Sequence, residues 1–149
     1  MRVVIQRVSE AKVTIGSNIS GKVGLGFMIL LGIEHDDTID DIFWLVKKIV
    51  GLRVFNDEAL KMNKSIKDVK GEVLLISQFT LYASTKKGNR PSFIKAAKPA
   101  QAKLLYEQFI EALEQKSIIV QTGEFGADMK VSLINDGPVT IIIDSKIKE

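Results

Sequence analysis

Apolar residues alternate with polar ones over several short stretches of the chain, and alternation predicts strands. Arg2 to Val8 alternates and Lys12 to Ile15 alternates again, which predicts a hairpin or two adjacent strands. Val23 to Ile33 is apolar and contains three glycines, which predicts a buried strand with close backbone approaches. Val73 to Leu81 is a further apolar run and predicts another strand. The first half of the chain is therefore rich in β-structure.

Two segments have the apolar spacing of helices. Thr38 is a suitable N-cap for a helix that Gly51 would end, and Pro99 is suited to open a second helix. Each segment has one apolar stripe, which indicates packing against a sheet. The stripes consist of Ile39, Ile42, Phe43, Val46, Ile49 and Val50 in the first helix, and Ala102, Leu105, Tyr106, Phe109, Ile110 and Leu113 in the second.

The C-terminal third predicts three strands and a sharp turn. Ser117 to Thr122, Met129 to Ile134 and Val139 to Asp144 have strand character, and the turn signal is Asn135 to Pro138. About six or seven strands and two helices, without strict alternation, predict an α+β domain with the helices packed on a sheet. A length of 149 residues favours a single domain spanning residues 1–149.

The composition excludes several classes of site. The chain has no cysteine and one histidine, His35, so thiolate chemistry and metal sites of several imidazoles are excluded. Gly24 and Gly26 lack the third glycine and the following helix of a dinucleotide loop. We therefore expect neither a metal nor a cofactor. No apolar run is long enough to cross a bilayer, and the N-terminus has no signal-peptide pattern, so a cytoplasmic location without membrane contact is expected.

Charge is unevenly distributed along the chain. Val73 to Tyr106 has six basic and no acidic residues, whereas the remainder has 15 basic and 18 acidic residues. A segment of charge +6 on a body of charge −3 indicates a polyanionic partner, although a solvated basic face is the alternative. The basic residues are Lys86, Lys87, Arg90, Lys95, Lys98 and Lys103.

Two short motifs combine polar groups with the ends of apolar strands. In Ser77-Gln78-Phe79-Thr80-Leu81, alternation would place Gln78 and Thr80 on the face opposite to the other three. Such polar groups need a ligand or neighbouring backbone as partners. Gly137-Pro138 is either an ordinary turn or a rigid strand end that presents backbone atoms to a ligand. His35, beside two aspartates, is either a solvated loop residue or a general base.

Three segments together resemble the D-aminoacyl-tRNA deacylase family, of the D-tyrosyl-tRNA deacylase type. They are Ser77 to Ala83, Gly88 to Phe93, and Thr122 to Met129 continuing to Asn135-Asp136-Gly137-Pro138-Val139-Thr140. Val4 to Val8 is similar to the first strand of that family. The similarity covers essentially the whole chain, and the order of the motifs fits.

The resemblance implies an esterase that removes D-amino acids, and also glycine, from the 3′-terminal adenosine of tRNA. It implies a homodimer with a layered β/β/α sandwich fold, a mostly antiparallel sheet and active sites at the dimer interface. Gly137-Pro138 would be cis, reach into the partner's site, bind the substrate's amino group and exclude an L side chain. Arg7 would hold that loop. Ser77, Gln78, Phe79 and Thr80 would line the catalytic pocket, and Lys86, Lys87 and Arg90 would contact tRNA.

The resemblance leaves two mechanisms open. Thr80 is the nucleophile in one, and the 2′-hydroxyl of the tRNA assists water in the other. A threonine nucleophile needs a base, and only His35 is available outside the motifs, so we favour the 2′-hydroxyl route. Two alternatives to an editing esterase remain: a non-catalytic module that binds the 3′ end of tRNA, and a hydrolase of small D-amino-acid esters, for which the basic segment would have no use.

Overall fold

The computed structural model describes residues 1–148 and contains eight strands, two α-helices and one 3-10 helix. The elements follow one another in chain order, with the 3-10 helix at Phe79–Tyr82. The strands are β1 (Arg2–Ile15), β2 (Asn18–Val23), β3 (Gly26–Gly32), β4 (Phe55–Asn56), β5 (Met62–Lys64), β6 (Glu72–Ser77), β7 (Val120–Thr122) and β8 (Lys130–Asp144), and the helices are α1 (Ile39–Gly51) and α2 (Pro99–Glu114).

Strand β1 organises the sheet because it pairs with three other strands. Its N-terminal half is antiparallel to β3, its C-terminal half is antiparallel to β2, and β8 runs antiparallel to it on the other edge. The predicted hairpin between Arg2 and Ile15 is therefore wrong, because Ser9 and Glu10 continue the strand. Irregular pairing with β8 on either side of Val8 accommodates these polar residues without a reversal of the chain.

The main sheet curves until its ends nearly meet. Its order is β2-β1-β3-β6-β7, with β6 parallel to both of its neighbours. Strand β7 then lies beside β2, where the Ser20 hydroxyl donates a hydrogen bond of 3.2 Å to the Thr122 carbonyl. A Cβ at Gly21 would lie 2.6 Å from that same carbonyl oxygen. Glycine at this position therefore permits the close approach that turns an open sheet into a near-barrel.

Two apolar cores lie on opposite faces of β3 and β6, so both strands are buried on both sides. Phe27, Ile29 and Leu31 face a large core that includes α1 and α2. Met28 faces a smaller core inside the near-barrel. This burial explains why β3 and β6 are continuous apolar runs rather than alternating ones. The smaller core comprises Val8, Ala11, Val13, Val23, Met28, Leu74 and Ile76.

Both helices begin where the sequence predicts. Thr38 is the N-cap of α1, and its backbone N–H donates a hydrogen bond of 2.8 Å to the Asp41 carboxylate. Pro99 occupies the first turn of α2. Within residues 1–148, neither helix combines the length and apolar character needed to cross a bilayer. The predicted α+β class is confirmed as a single small domain with two helices and a near-barrel sheet.

Stability is expected to fall in acid because Asp41 is buried and ionised. Burial by itself would raise the pKa of Asp41, but hydrogen bonds from Ser145 and Lys146 lower it to about 2. A carboxyl whose pKa is lower in the folded state than in the unfolded chain stabilises the fold above the unfolded value. About 2 kcal/mol of stability should therefore be lost as pH falls from about 4 to about 2. Chemical unfolding at a series of pH values measures this loss.

Asp40 provides a matched control for this prediction. Asp40 lies in the same first turn of α1 but is exposed. Asp41→Asn should flatten the acid limb of the stability curve, whereas Asp40→Asn should leave its slope unchanged. Equal slopes for Asp41→Asn and the unmodified protein would contradict the assignment.

Candidate functional site

The Ser77–Thr80 motif lies where β6 ends and the chain turns. Ser77 pairs with Leu31 as the last residue of β6, and the Gln78 N–H then donates a hydrogen bond of 2.8 Å to the Leu31 carbonyl. Phe79 and Thr80 follow in the 3-10 helix, so the predicted strand to Leu81 is too long. Alternation of faces consequently does not apply beyond Ser77. The turn instead directs the Gln78 amide to donate a hydrogen bond to the Thr80 hydroxyl.

A cavity of about 690 Å³ opens beside this turn. Three parts of the chain that are distant in sequence form its walls: the end of β6, the segment that leads into α2, and the loop between β7 and β8. Gln78 lines the cavity, whereas Thr80 does not. Thr80 is exposed, and its hydroxyl accepts a hydrogen bond from the Gln78 amide. The residues that line the cavity include Ser77, Gln78, Phe79, Phe93, Ala97, Lys98, Ala102, Phe125, Gly126, Asp128 and Met129.

Aromatic side chains at the cavity offer surfaces for stacking. Phe79 is 55% exposed, and its ring lies edge-to-face on Phe93 with centroids 5.0 Å apart. Phe125 lines the cavity and packs on Tyr106 at a centroid distance of 5.9 Å. Burial raises the pKa of Tyr106, so its hydroxyl stays protonated and donates a hydrogen bond of 2.8 Å to the Leu75 carbonyl. The part of the cavity wall formed by Phe125 is thus apolar and is supported by the buried, hydrogen-bonded ring of Tyr106.

Within residues 1–148, the Thr80 hydroxyl forms a side-chain hydrogen bond with the Gln78 amide and none with a carboxylate or an imidazole. The one carboxylate among the lining residues is Asp128, whose side chain is 88% exposed and forms an ion pair of 3.0 Å with Lys130. His35, the other candidate base, is not among the lining residues and faces Asp36 across 3.9 Å. The described residues also contain no group of three or more side chains suited to hold a metal ion. Proton transfer from Thr80 therefore has no evident acceptor in the same chain.

Gly137 and Pro138 form a bulge inside β8 rather than the predicted turn between two strands. Gln6 pairs with Thr140 and Val8 pairs with Asn135, so only Arg7 lies opposite residues 136–139. The peptide bond between Gly137 and Pro138 is cis. The strand continues on both sides of the bulge because β1 supplies partners for each half, which the local sequence could not reveal.

Side chains hold this bulge from two sides. Arg7 is 7% exposed and donates hydrogen bonds of 3.0 Å to the Asp136 carbonyl and 2.6 Å to the Val54 carbonyl. Asn135 donates a hydrogen bond of 2.9 Å to the Thr140 hydroxyl, and its side-chain oxygen accepts one of 3.1 Å from the Val139 N–H. The contribution of Asn135 was not predicted from the sequence. An asparagine and a threonine five residues apart around Gly-Pro are the signal that could have revealed it.

The bulge and the cavity do not meet within one chain. Through the strand pairs, Ser77 lies level with Leu31 and Leu31 lies level with Val3, whereas Gly137 lies opposite Arg7. Four residues along β1 correspond to about 13 Å. Moreover, β8 and β3 lie on opposite edges of β1. The predicted catalytic and chiral-selection residues therefore form two separate clusters in each chain.

The basic loop forms a third cluster. Lys86, Lys87 and Arg90 are exposed, and the loop that carries them is closed by paired backbone hydrogen bonds between Ser84 and Ser92. None of the three basic residues lines the cavity. The loop begins directly after the 3-10 helix of the Ser77–Thr80 turn, so it follows the cavity-lining residues of that turn in the chain.

Comparison with known proteins places the chain in a family. The family model described as D-Tyr-tRNA(Tyr) deacylase matches residues 4–144. Proteins named D-aminoacyl-tRNA deacylase are similar over nearly the full length of both chains. The one from Flavobacterium psychrophilum is 61% identical and covered completely, and the one from Fusobacterium nucleatum is 60% identical over 98% of this chain and 97% of its own.

Two solved structures are similar in fold. A structure titled c-Myc DNA Unwinding Element Binding Protein has a TM-score of 0.90 at 42% identity, covering 97% of this chain and 98% of its own. A probable eukaryotic D-amino acid tRNA deacylase has a TM-score of 0.80 at 16% identity, covering 95% and 97%, which supports the fold alone. The predicted family is confirmed by the family model and by relatives more than half identical. The chain is a member of the D-Tyr-tRNA(Tyr) deacylase family.

Proposed function

We propose that the protein is a cytoplasmic editing esterase that hydrolyses the ester bond of D-aminoacyl-tRNA and of glycyl-tRNA. The observation that carries this proposal is the cavity at the Ser77–Thr80 turn, where the polar side chains of Ser77 and Gln78 meet the aromatic pair of Phe79 and Phe93. An apolar cavity of about 690 Å³ fits a nucleoside with an attached amino acid. The basic loop supplies phosphate contacts that are independent of sequence.

The active enzyme is a homodimer in which each cavity is completed by the Gly137–Pro138 bulge of the partner. Support comes from the separation of the two clusters within one chain, because a bulge that cannot reach its own cavity can still reach that of a second copy. Strand β8 also has one edge without a strand partner among residues 1–148, and Ile134 and Ile142 on it are 54% and 66% exposed. In this dimer the near-barrel sheet and the helices are the layers of a β/β/α sandwich.

Chirality is selected by exclusion. L- and D-esters carry the same groups, so discrimination depends on where the side chain at Cα can lie. Main-chain atoms of Gly137 and Pro138, held by Arg7, form a wall whose proline ring restricts movement. An L side chain collides with this wall, a D side chain points away, and glycine has no side chain to exclude. Glycyl-tRNA is consequently a substrate of the same site.

A deacylation assay with D-tyrosyl-tRNA and L-tyrosyl-tRNA tests the proposed function. The D-ester should be cleaved at least about 100-fold faster, which corresponds to about 2.7 kcal/mol of discrimination and is within the range of a steric clash. Binding of both tRNAs without cleavage would instead identify a non-catalytic 3′-end binding module. Equal cleavage of small D-amino-acid esters and of tRNA esters would favour the small-ester hydrolase.

The dimer is tested by sedimentation. We expect a single species of twice the chain mass, and we expect Ile142→Lys to convert it to a monomer without deacylase activity. Lys130→Glu is the control. It also changes a charge on β8, but at a position that is not apolar, and it should leave the dimer intact. A fully active monomer would contradict the shared site.

A further inference from the structure

Lys98 is the one cation among the described residues that line the cavity. The basic residues predicted to bind tRNA, Lys86, Lys87 and Arg90, do not line it. Lys95 lines a different cavity, which it shares with Glu34, Asp36 and Asp144. Lys98 is therefore the cation that a ligand in this cavity can meet.

The backbone around Lys98 is fixed on both sides. The Ala97 N–H donates a hydrogen bond of 2.9 Å to the Ile33 carbonyl at the end of β3, and the Lys98 carbonyl accepts one of 2.9 Å from the Ala102 N–H in α2. The side chain thus extends from a rigid junction between the sheet and a helix. The fold sets the position of the Lys98 backbone, while the flexible side chain allows the ammonium group to reach a ligand.

The charge of Lys98 is available for a ligand. Within residues 1–148, the ion pairs include none with Lys98, and the one acidic residue that lines the cavity, Asp128, is paired with Lys130. An unpaired cation at the margin of an apolar cavity attracts an anionic group that enters with the rest of the ligand.

We propose that Lys98 binds the 5′-phosphate of the terminal adenosine, so that the site recognises an aminoacyl nucleotide rather than an aminoacyl nucleoside. This inference rests on the proposed function, because it takes the 3′ end of tRNA as the ligand of the cavity. Among the phosphate groups of the tRNA, the 5′-phosphate of the terminal adenosine belongs to the same nucleotide as the reacting ester and is the closest to it. Lys98 is accordingly a positioning residue, which holds the nucleotide but does not touch the ester.

Two small substrates isolate this contact. One is adenosine esterified with D-tyrosine at the 3′-hydroxyl, and the other is the same ester of adenosine 5′-monophosphate. For the unmodified dimer, we expect kcat/KM to be about 5- to 10-fold higher for the phosphorylated ester, as for one charge-assisted contact in a half-open site. Lys98→Ala should abolish this difference by slowing only the phosphorylated ester, and Lys98→Arg should retain it.

Lys95→Ala is the matched control, because Lys95 lies three residues before Lys98, carries the same charge and lines a different cavity. It should leave the ratio of the two esters unchanged. A Lys98→Ala variant that slows both esters equally, or neither, would overturn the proposal, as would an unmodified enzyme that does not distinguish them.

A binding measurement separates this proposal from the proposed function. In titrations followed by NMR, adenosine 5′-monophosphate should bind the unmodified protein more tightly than adenosine does, and Lys98→Ala should remove the preference. This preference requires no catalysis, so it would persist if the protein only bound tRNA ends. Absence of cleavage of D-tyrosyl-tRNA would refute the esterase alone, whereas equal affinity for the two ligands would refute the role of Lys98 alone.

Discussion

A D-aminoacyl-tRNA that ends in 2′-deoxyadenosine is expected to be cleaved at least about 100-fold more slowly than the natural ester, the loss typical of removing one general acid or base. The reason is that, among the described residues, the hydrogen bonds of the Thr80 hydroxyl include none to a carboxylate or an imidazole. This hydroxyl is bound by the Gln78 amide, and the one carboxylate that lines the cavity is exposed and paired with Lys130. We therefore expect the 2′-hydroxyl of the substrate to assist the attacking water. Single-turnover cleavage of D-tyrosyl-tRNA charged on the 3′-hydroxyl measures the loss.

In this mechanism the protein positions the ester and supplies hydrogen-bond donors, and the free energy of these two effects is large enough for the required acceleration. A million-fold acceleration corresponds to about 8 kcal/mol. Positioning of a bound ester contributes about 7–11 kcal/mol, and one donor to a developing oxyanion contributes about 2.7–4 kcal/mol. One backbone donor and a well-held ester would therefore account for this acceleration without a protein nucleophile.

Thr80→Ala and Thr80→Val are the complementary tests. Both variants should keep most of the single-turnover rate, since the threonine hydroxyl is not the attacking group. A loss of about a thousand-fold in variants that remain folded, together with full cleavage of the 2′-deoxy substrate, would identify Thr80 as the nucleophile instead.

Gly137→Ala is expected to lower D-ester cleavage at least about 100-fold, because a near-attack geometry tolerates little displacement. Gly137 has a φ of +129°, and a Cβ there would lie 2.8 Å from the Arg7 guanidinium and 2.9 Å from a methyl group of Val139. Arg7 cannot withdraw easily, since it also donates to the Val54 carbonyl. The bulge must therefore shift, and with it the main-chain atoms that we propose exclude an L side chain.

Gly16→Ala is the matched control for backbone strain. Gly16 has a φ of +59° and lies between β1 and β2, and a Cβ there would meet nothing within 4 Å. Both substitutions place alanine in a conformation that favours glycine, and only the one at Gly137 adds a collision. Equal losses of activity in the two variants, with equal thermal stability, would show that the fit between Gly137 and Arg7 is unimportant for catalysis.

The helices could be predicted from the sequence because their signals are local. Thr38 and Asp41 form the N-terminal cap of α1, and Pro99 opens α2, at the residues where the pattern predicts them. Caps and apolar stripes act over one or two turns, so a short window contains the whole interaction. Parts of the three motifs, Ser77 to Phe79, Phe93 and Phe125 to Met129, line one cavity, which their order along the chain did not predict.

The strands were predicted less well because a strand is completed by residues distant in sequence. Ser9 and Glu10 are polar in sequence, but β8 pairs with Val8 and Glu10 on either side of Ser9 and keeps β1 continuous. Asn135 to Pro138 has every local feature of a turn, yet β1 supplies partners on both sides and makes it a bulge. Conversely, the predicted strand through Leu81 ends at Ser77, where the Gln78 N–H bonds to the Leu31 carbonyl and the backbone leaves the sheet.

By itself, the sequence determined the α+β class, both helices and the family. These depend on local patterns and on motifs whose spacing is visible in one dimension. Only the tertiary structure decided that Ser77 and Gly137 lie in separate clusters of one chain, that Arg7 spans from Val54 to Asp136, and that Lys98 lines the cavity. These facts depend on strand register and on the curvature of the sheet, which arise from pairing between residues as far apart in the chain as Arg2 and Asp144.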